Sequence, residues 1–194
     1  MFAKGFAGPF GIAFYPPGPN PKWVYVASPN AVVRFAYATG DLTARGPATT
    51  VIPRLAASDG GHTIRDLAFS LDGKRLYISV GSGSNIAEDM SAKTPAEAKA
   101  WQAGRPLGAA WGREENRADV LASDPEGRGL RIYATGIRNC AGLAVHPADG
   151  AVWCATNDGT TWATTCRPTT RAGCAKAAST AGRGSTLEGA RTRG

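Results

Sequence analysis

The sequence predicts an all-β fold of the propeller type, and three observations carry that prediction. A strand–turn–strand unit occurs three times, each copy turns at Pro-Gly or Asp-Gly, and the one good helix signal lies in an insertion between copies. The first copy opens with Gly11-Ile12-Ala13-Phe14-Tyr15-Pro16, turns at Pro17-Gly18, and continues through Trp23-Val24-Tyr25-Val26-Ala27. A third strand follows at Ala31-Val32-Val33-Arg34-Phe35. The second copy runs Asp66-Leu67-Ala68-Phe69-Ser70, Asp72-Gly73, then Arg75-Leu76-Tyr77-Ile78-Ser79-Val80, with a third strand at Ala118-Asp119-Val120-Leu121. The third copy is Gly142-Leu143-Ala144-Val145-His146-Pro147, Asp149-Gly150, then Ala151-Val152-Trp153-Cys154-Ala155. β-rich runs on either side of a turn that tolerates positive φ are what a hairpin requires.

The copies begin at Gly11, Asp66 and Gly142, 55 and 76 residues apart, so the longer interval contains the insertion. Its helix signal is Thr94-Pro95-Ala96-Glu97: Thr94 can cap, Pro95 suits the first turn, and Glu97 can close a capping box. This predicts a helix near 95–103, ending by Gly104-Arg105-Pro106, with a narrow apolar face from Ala98, Ala100 and Trp101. It is expected to decorate a loop between two strands of the second sheet. Repeated sheets of about four strands are the mark of a propeller, which typically has four to eight blades. The chain holds about three, so it is expected to be part of a longer fold or an incomplete copy of one.

With 43% hydrophobic and 19% charged residues the chain lies in the globular range. No stretch approaches the roughly 18 apolar residues of a membrane span, and the written start lacks the basic end and apolar run of a signal peptide. The formal charge of +7 raises nucleic acid as a partner. Its distribution argues against that: residues 158–194 contain six basic and two acidic side chains, +4 of the +7. Cys140, Cys154, Cys166 and Cys174 lack the C-x-x-C spacing of a zinc site and are read as buried or incidental thiols.

Five stretches in order resemble the glucose/sorbosone dehydrogenase family, most of all its sorbosone dehydrogenase branch and the related pyranose dehydrogenase propeller domains. They are Gly8-Pro9-Phe10-Gly11-Ile12-Ala13-Phe14-Tyr15-Pro16-Pro17-Gly18, Gly60-Gly61-His62-Thr63-Ile64-Arg65-Asp66-Leu67-Ala68-Phe69-Ser70, Ser79-Val80-Gly81-Ser82, Glu114-Glu115-Asn116-Arg117-Ala118-Asp119, and Tyr133-Ala134-Thr135-Gly136-Ile137-Arg138-Asn139. The resemblance covers residues 1–157 and implies part of a six-bladed propeller that oxidises sugars with pyrroloquinoline quinone. It implies calcium beside the quinone, a sugar or sugar-aldehyde substrate, an external electron acceptor such as a cytochrome or quinone, and a periplasmic location.

It also assigns roles that the side chains can fill. Hydride loss from a sugar hydroxyl needs a base for the hydroxyl proton, and an imidazole titrating near neutrality suits that task. The family's histidine at this motif implies His62 as the catalytic base; its bland reading is a surface loop histidine. The Arg-Asn pair implies Arg138 and Asn139 beside the quinone, where a guanidinium stabilises developing negative charge. Arg138 otherwise reads as a solvated loop charge. Cys140 departs from the family, which usually has proline there, so the loop loses a fixed φ. Arg65 is read as a strand-edge charge, or else as a second polar group near the cofactor. His146 is read as a turn residue.

After Asn157 the composition changes: Thr160, Thr161, Thr164, Thr165, Thr169 and Thr170 crowd a segment with hardly any core formers. Residues 158–194 are expected to be a non-family, disordered tail produced by a frameshift. GC-rich back-translation of Thr160 to Thr186 permits a shifted frame reading DLGDDLPPDYARRLREGGFYGWPWFY, which resembles the family's continuation. The calcium ligands are expected in that lost continuation, so no metal-binding residue is assigned here. The alternatives to a dehydrogenase are a non-enzymatic propeller binding module and an inactive pseudogene product.

Overall fold

The computed structural model describes residues 1–56, 60–85, 90–105 and 109–157, and its sheets follow the predicted repeat. Strands β1 (Ile12–Tyr15), β2 (Trp23–Ser28), β3 (Ala31–Ala36) and β4 (Thr49–Ile52) form the first antiparallel sheet in that order. Strands β5 (Leu67–Phe69), β6 (Leu76–Val80), β7 (Asp119–Ser123) and β8 (Arg131–Thr135) form the second. The third sheet pairs β9 (Cys140–Val145) with β10 (Val152–Thr156). The all-β, propeller-like class is therefore what the chain adopts, with two four-stranded sheets and one two-stranded sheet among the described residues.

Burial explains why the middle sheet reads as near-continuous apolar sequence. Every residue of β6 and β7 is buried, because both faces of this sheet are covered. Leu67, Phe69, Leu76, Ile78 and Leu121 pack against Tyr25, Val32 and Ile52 of the first sheet. On the opposite face Tyr77, Val120 and Ala122 pack against Leu143 and Val152 of the third. Alternate residues of one strand thus serve two cores, as the period of two demands.

Hydrogen bonds join the opening strands across these seams. The Gly11 amide donates to the Arg65 carbonyl at 2.9 Å, and the Leu143 amide donates to Asp66 Oδ2 at 2.8 Å. Gly11 is needed for that approach, since a Cβ there would run into the Arg65 carbonyl. Gly73, at φ +68°, makes the Asp-Gly turn of the second sheet, where the Ser70 hydroxyl bonds Asp72 Oδ1 at 2.6 Å.

Strands β4 and β8, absent from the three-strand reading, are the outer edges of their sheets. The insertion between β6 and β7 carries α1 (Pro95–Gln102), with both bonds of the Thr94–Glu97 capping box formed and no buried residue. The expected decorated loop is what the chain builds. Lys93 lies 5.5 Å from the Trp101 ring and 5.3 Å from the Trp111 ring, and Arg105 stacks on Trp101 at 3.8 Å. Cation–π contact thus takes the place of a core in this segment.

The cysteine reading needs correction. Cys140 and Cys154 form a disulfide between β9 and β10, with Cα atoms 5.6 Å apart. Both are buried on the face packed against the second sheet, so pairing of adjacent strands brings the two thiols together. Cys166, Cys174 and the expected tail fall outside the described residues.

Candidate active site at the seam of the second and third sheets

The approach to β5 and the segment leaving β6 run side by side. The His62 amide donates to the Ser82 carbonyl at 2.9 Å, and the Ser82 amide donates to the Arg138 carbonyl at 2.8 Å. The chain thereby brings together His62, Ser82 and the Arg138-Asn139 pair that precedes β9. Gly81 permits this closeness: a Cβ there would lie 2.6 Å from both His62 Cβ and Asn139 Oδ1.

The half-buried His62 ring points Nδ1 at Ser82, 3.0 Å from its hydroxyl oxygen and 3.2 Å from its carbonyl oxygen. The hydroxyl donates its own hydrogen to the Ser84 carbonyl at 2.7 Å. Both atoms facing Nδ1 can therefore only accept, so the network assigns the proton to Nδ1 and leaves the lone pair on Nε2. A neutral imidazole held this way is a proton acceptor at one defined atom.

Arg138 spends three donors on the segments that follow β6 and β10. Nε and Nη2 donate to the Asn85 carbonyl and Asn85 Oδ1, and Nη1 donates to the Asn157 carbonyl at 2.8 Å. Asn139 is buried; its carbonyl accepts from the Thr156 hydroxyl at 3.1 Å and the Asn157 amide at 2.9 Å, while its side-chain Oδ1 has no partner. That oxygen is packed against Gly81, so the buried Asn139 amide and the partly exposed Arg138 guanidinium lie side by side next to the His62 imidazole.

Two buried cations lie behind His62. Arg65, 1% exposed, donates from Nη1 to the His62 and Ile64 carbonyls at 2.7 Å each. Burial, and then the charge of Arg117, lowers its pKa to about 10. It is neither a strand-edge charge nor a solvent-facing group; its backbone contacts make it part of the support for the histidine. Arg117, 0% exposed, donates to the carbonyls of Gly81, Gly60, His62 and Ser82. Glu114, also buried, accepts from the Gly83 amide at 2.8 Å.

Asp119 lies at the start of β7, opposite Val80 and Thr135. Burial pushes its carboxyl up to about 8, the Thr135 hydroxyl works against that, and Glu114 adds to it. Neither oxygen takes a hydrogen bond of regular geometry, and burial outweighs the Thr135 contact. His146 is the expected turn residue, with Nδ1 3.0 Å from Asp149 Oδ1. Among the described residues no group of three or more His, Cys, Asp or Glu is arranged to hold a metal ion. The expected calcium ligands lie beyond Asn157, outside the described residues.

Ser82, Arg117 and Asp119 had no assigned role in the sequence, although all lie in the motifs that carry the resemblance. The usable signal was local: Gly81 and Gly83 flank Ser82, and Glu114, Arg117 and Asp119 crowd charge onto the entrance of a buried strand.

Residues 9–166 match the family model described as TrAA12-like. The chain belongs to the TrAA12-like family. His62, Ser82, Arg117, Arg138 and Asn139 all lie inside the matched span. Among solved structures it is similar to the Trichoderma reesei Carbohydrate-Active Enzymes Family AA12 protein. The iodide form matches at 21% identity over 76% of this chain and 33% of that one, with a TM-score of 0.51. The calcium form gives 20%, the same coverages and 0.52. The holo form of the pyranose dehydrogenase PQQ domain from Coprinopsis cinerea matches at 19% identity over 73% of this chain and 31% of that one, with a TM-score of 0.50. At these identities the likeness shows the fold, and the chain spans about a third of the solved chains. No curated protein matches it. No helix among the described residues is long and apolar enough to cross a membrane.

Proposed function

We propose that residues 1–157 are the base-bearing part of a quinone-dependent sugar dehydrogenase, acting on a sugar hydroxyl or a hydrated sugar aldehyde of the sorbosone type. The observation that carries this reading is the His62–Ser82–Ser84 chain, which leaves Nε2 of a neutral imidazole as proton acceptor. Membership of the TrAA12-like family and the fold shared with a PQQ domain support the choice of cofactor. Pyrroloquinoline quinone, when bound, supplies the hydride acceptor. The residues present fit it through Arg138, which offers positive charge at the mouth of the seam, with the Asn139 amide beside it.

In this reading His62 Nε2 takes the hydroxyl proton as the hydride leaves the same carbon, so the alcohol loses two electrons and becomes a carbonyl. Arg138 would offset negative charge on the cofactor, and the Asn139 amide nitrogen would donate a hydrogen bond to it. Electrons then pass to an external acceptor, a cytochrome or quinone. The Cys140–Cys154 bridge supports a periplasmic setting, because such bonds persist in oxidising compartments. Calcium is assigned to the continuation that a shifted frame beyond Asn157 encodes, and genomic sequencing across that codon tests this assignment.

The activity test uses the full-length protein with quinone, calcium, a panel of sugars and a dye acceptor. His62→Ala is expected to lower turnover about 10²- to 10⁴-fold with an unchanged circular dichroism spectrum. Near-normal turnover in that variant removes His62 as the base.

A further inference from the structure

His62 follows Gly60 and Gly61, both at positive φ, +82° and +63°. Two consecutive glycines give the approach to the histidine little stiffness of its own. The position of the imidazole must therefore come from outside the segment. Arg117 supplies contacts to both segments: Nε donates to the Gly81 carbonyl at 3.0 Å, and Nη2 faces the carbonyls of Gly60 at 2.7 Å, His62 at 3.2 Å and Ser82 at 3.3 Å.

We propose that Arg117 is the positioning residue of this site: its buried guanidinium ties the Gly60–His62 approach to the Gly81–Ser82 segment and so sets the proton on His62 Nδ1. The planar fork matters, because it reaches carbonyls on two segments at once, whereas a lysine ammonium concentrates its donors at one point. Arg65 grips the His62 carbonyl at 2.7 Å but bonds nothing on the Gly81–Ser82 side. Without the fork, the buried Gly81 and Ser82 carbonyls and the Gly60 and His62 carbonyls opposite them lose a donor, and the gap that lets Ser82 face Nδ1 is no longer held. Its meaning for catalysis rests on the reading of His62 as the base.

The test reads the ring itself and needs neither quinone nor substrate. Long-range nitrogen–proton NMR spectra of the full chain, at a pH where the rings are neutral, identify the protonated nitrogen of each histidine. The sequence has two, and His146→Gln assigns them. In the unmodified chain the unprotonated resonance of His62 is expected to belong to Nε2. In Arg117→Lys it should move largely to Nδ1, with His146, paired to Asp149, unchanged. An unmodified His62 protonated at Nε2, or an Arg117→Lys chain with the original pattern, overturns the proposal. Should Arg117→Lys fail to fold, hydrogen exchange in the unmodified chain decides. The His62 amide, bonded to Ser82, must then exchange far more slowly than the exposed turn at Gly104. Comparable rates refute the clamp. His62→Ala turnover tests the base separately, so either reading can fail without the other.

Discussion

Replacing Asp119 by asparagine converts the cost of a buried carboxyl into a measurable slope. Asp119 is 1% exposed, and burial holds its pKa at about 8 against 3.8 for the free side chain. Below the lower value both the folded and unfolded chains carry the proton, and the group does not affect stability. As pH rises past it, the unfolded chain releases a proton that the folded chain retains. Stability then falls by at most about 1.4 kcal/mol per pH unit, and the loss levels off above the folded value. Between pH 4 and pH 7 this amounts to a loss on the order of 4 kcal/mol. Asparagine keeps the shape and cannot ionise. Urea unfolding of both chains, followed by tryptophan fluorescence at each pH unit from 4 to 8, gives the difference in stability, and titrations not coupled to Asp119 cancel in that difference. The variant's advantage should be near zero at pH 4 and grow to several kcal/mol by pH 8. A flat difference means that Asp119 ionises in the fold like a surface carboxylate. A difference that falls with pH means that the folded state favours the carboxylate, and either result refutes the reasoning.

Two further perturbations test the seam. Gly81→Ala places a methyl 2.6 Å from His62 Cβ and Asn139 Oδ1, so it should cost about 1–3 kcal/mol and separate His62 Nδ1 from Ser82. An unchanged urea midpoint and an unchanged His62 nitrogen spectrum would show that the close approach is absent. Reducing Cys140–Cys154, whose sequence separation is 14, should lower stability by about 3 kcal/mol, read as a drop in the urea midpoint on adding a phosphine reductant. A midpoint that does not move means that the bridge closes no loop of consequence.

The parts of the fold legible in the sequence were those whose burial is governed by one repeated pattern. The opening and second strands of each sheet carry apolar residues and end at turn dipeptides, and these signals are local. β4 escaped because Thr49 and Thr50 are exposed, leaving Val51 and Ile52 as its only apolar residues. β8 escaped because Arg131 is exposed and the rest is only half-buried. The site was less legible for a different reason. Ser82 meets His62 across 20 residues of chain, and it does so because the segment leaving β6 runs beside the approach to β5. Likewise Arg65 reads as a strand-edge charge, yet it is buried and the His62 and Ile64 carbonyls take the place of its water. Cys140 read as the loss of a proline restraint; its restraint is instead the bridge to Cys154, which depends on the pairing of β9 with β10.

The repeat also explains why the candidate site residues gather at one seam. Gly11, Asp66 and Gly142 hold equivalent places in the three copies of the repeat, and the residues four places before them are Ala7, His62 and Arg138. Only the last two bear reactive side chains, and they come from neighbouring sheets, joined through the Ser82 backbone. Equivalent core positions show which seams are closed. Leu67 and Phe69 are 5% and 8% exposed, whereas Ile12 and Phe14, at the same register in the first sheet, are 59% and 47% exposed. Tyr25, Tyr77 and Trp153 pair with Ala13, Ala68 and Ala144 in turn, and only Trp153 is left substantially uncovered. The seam between the second and third sheets is therefore packed on the faces that meet there. His62, Ser82, Arg117 and Asn139 all belong to it, so the surroundings of the proposed base are assembled by contacts within residues 60–157.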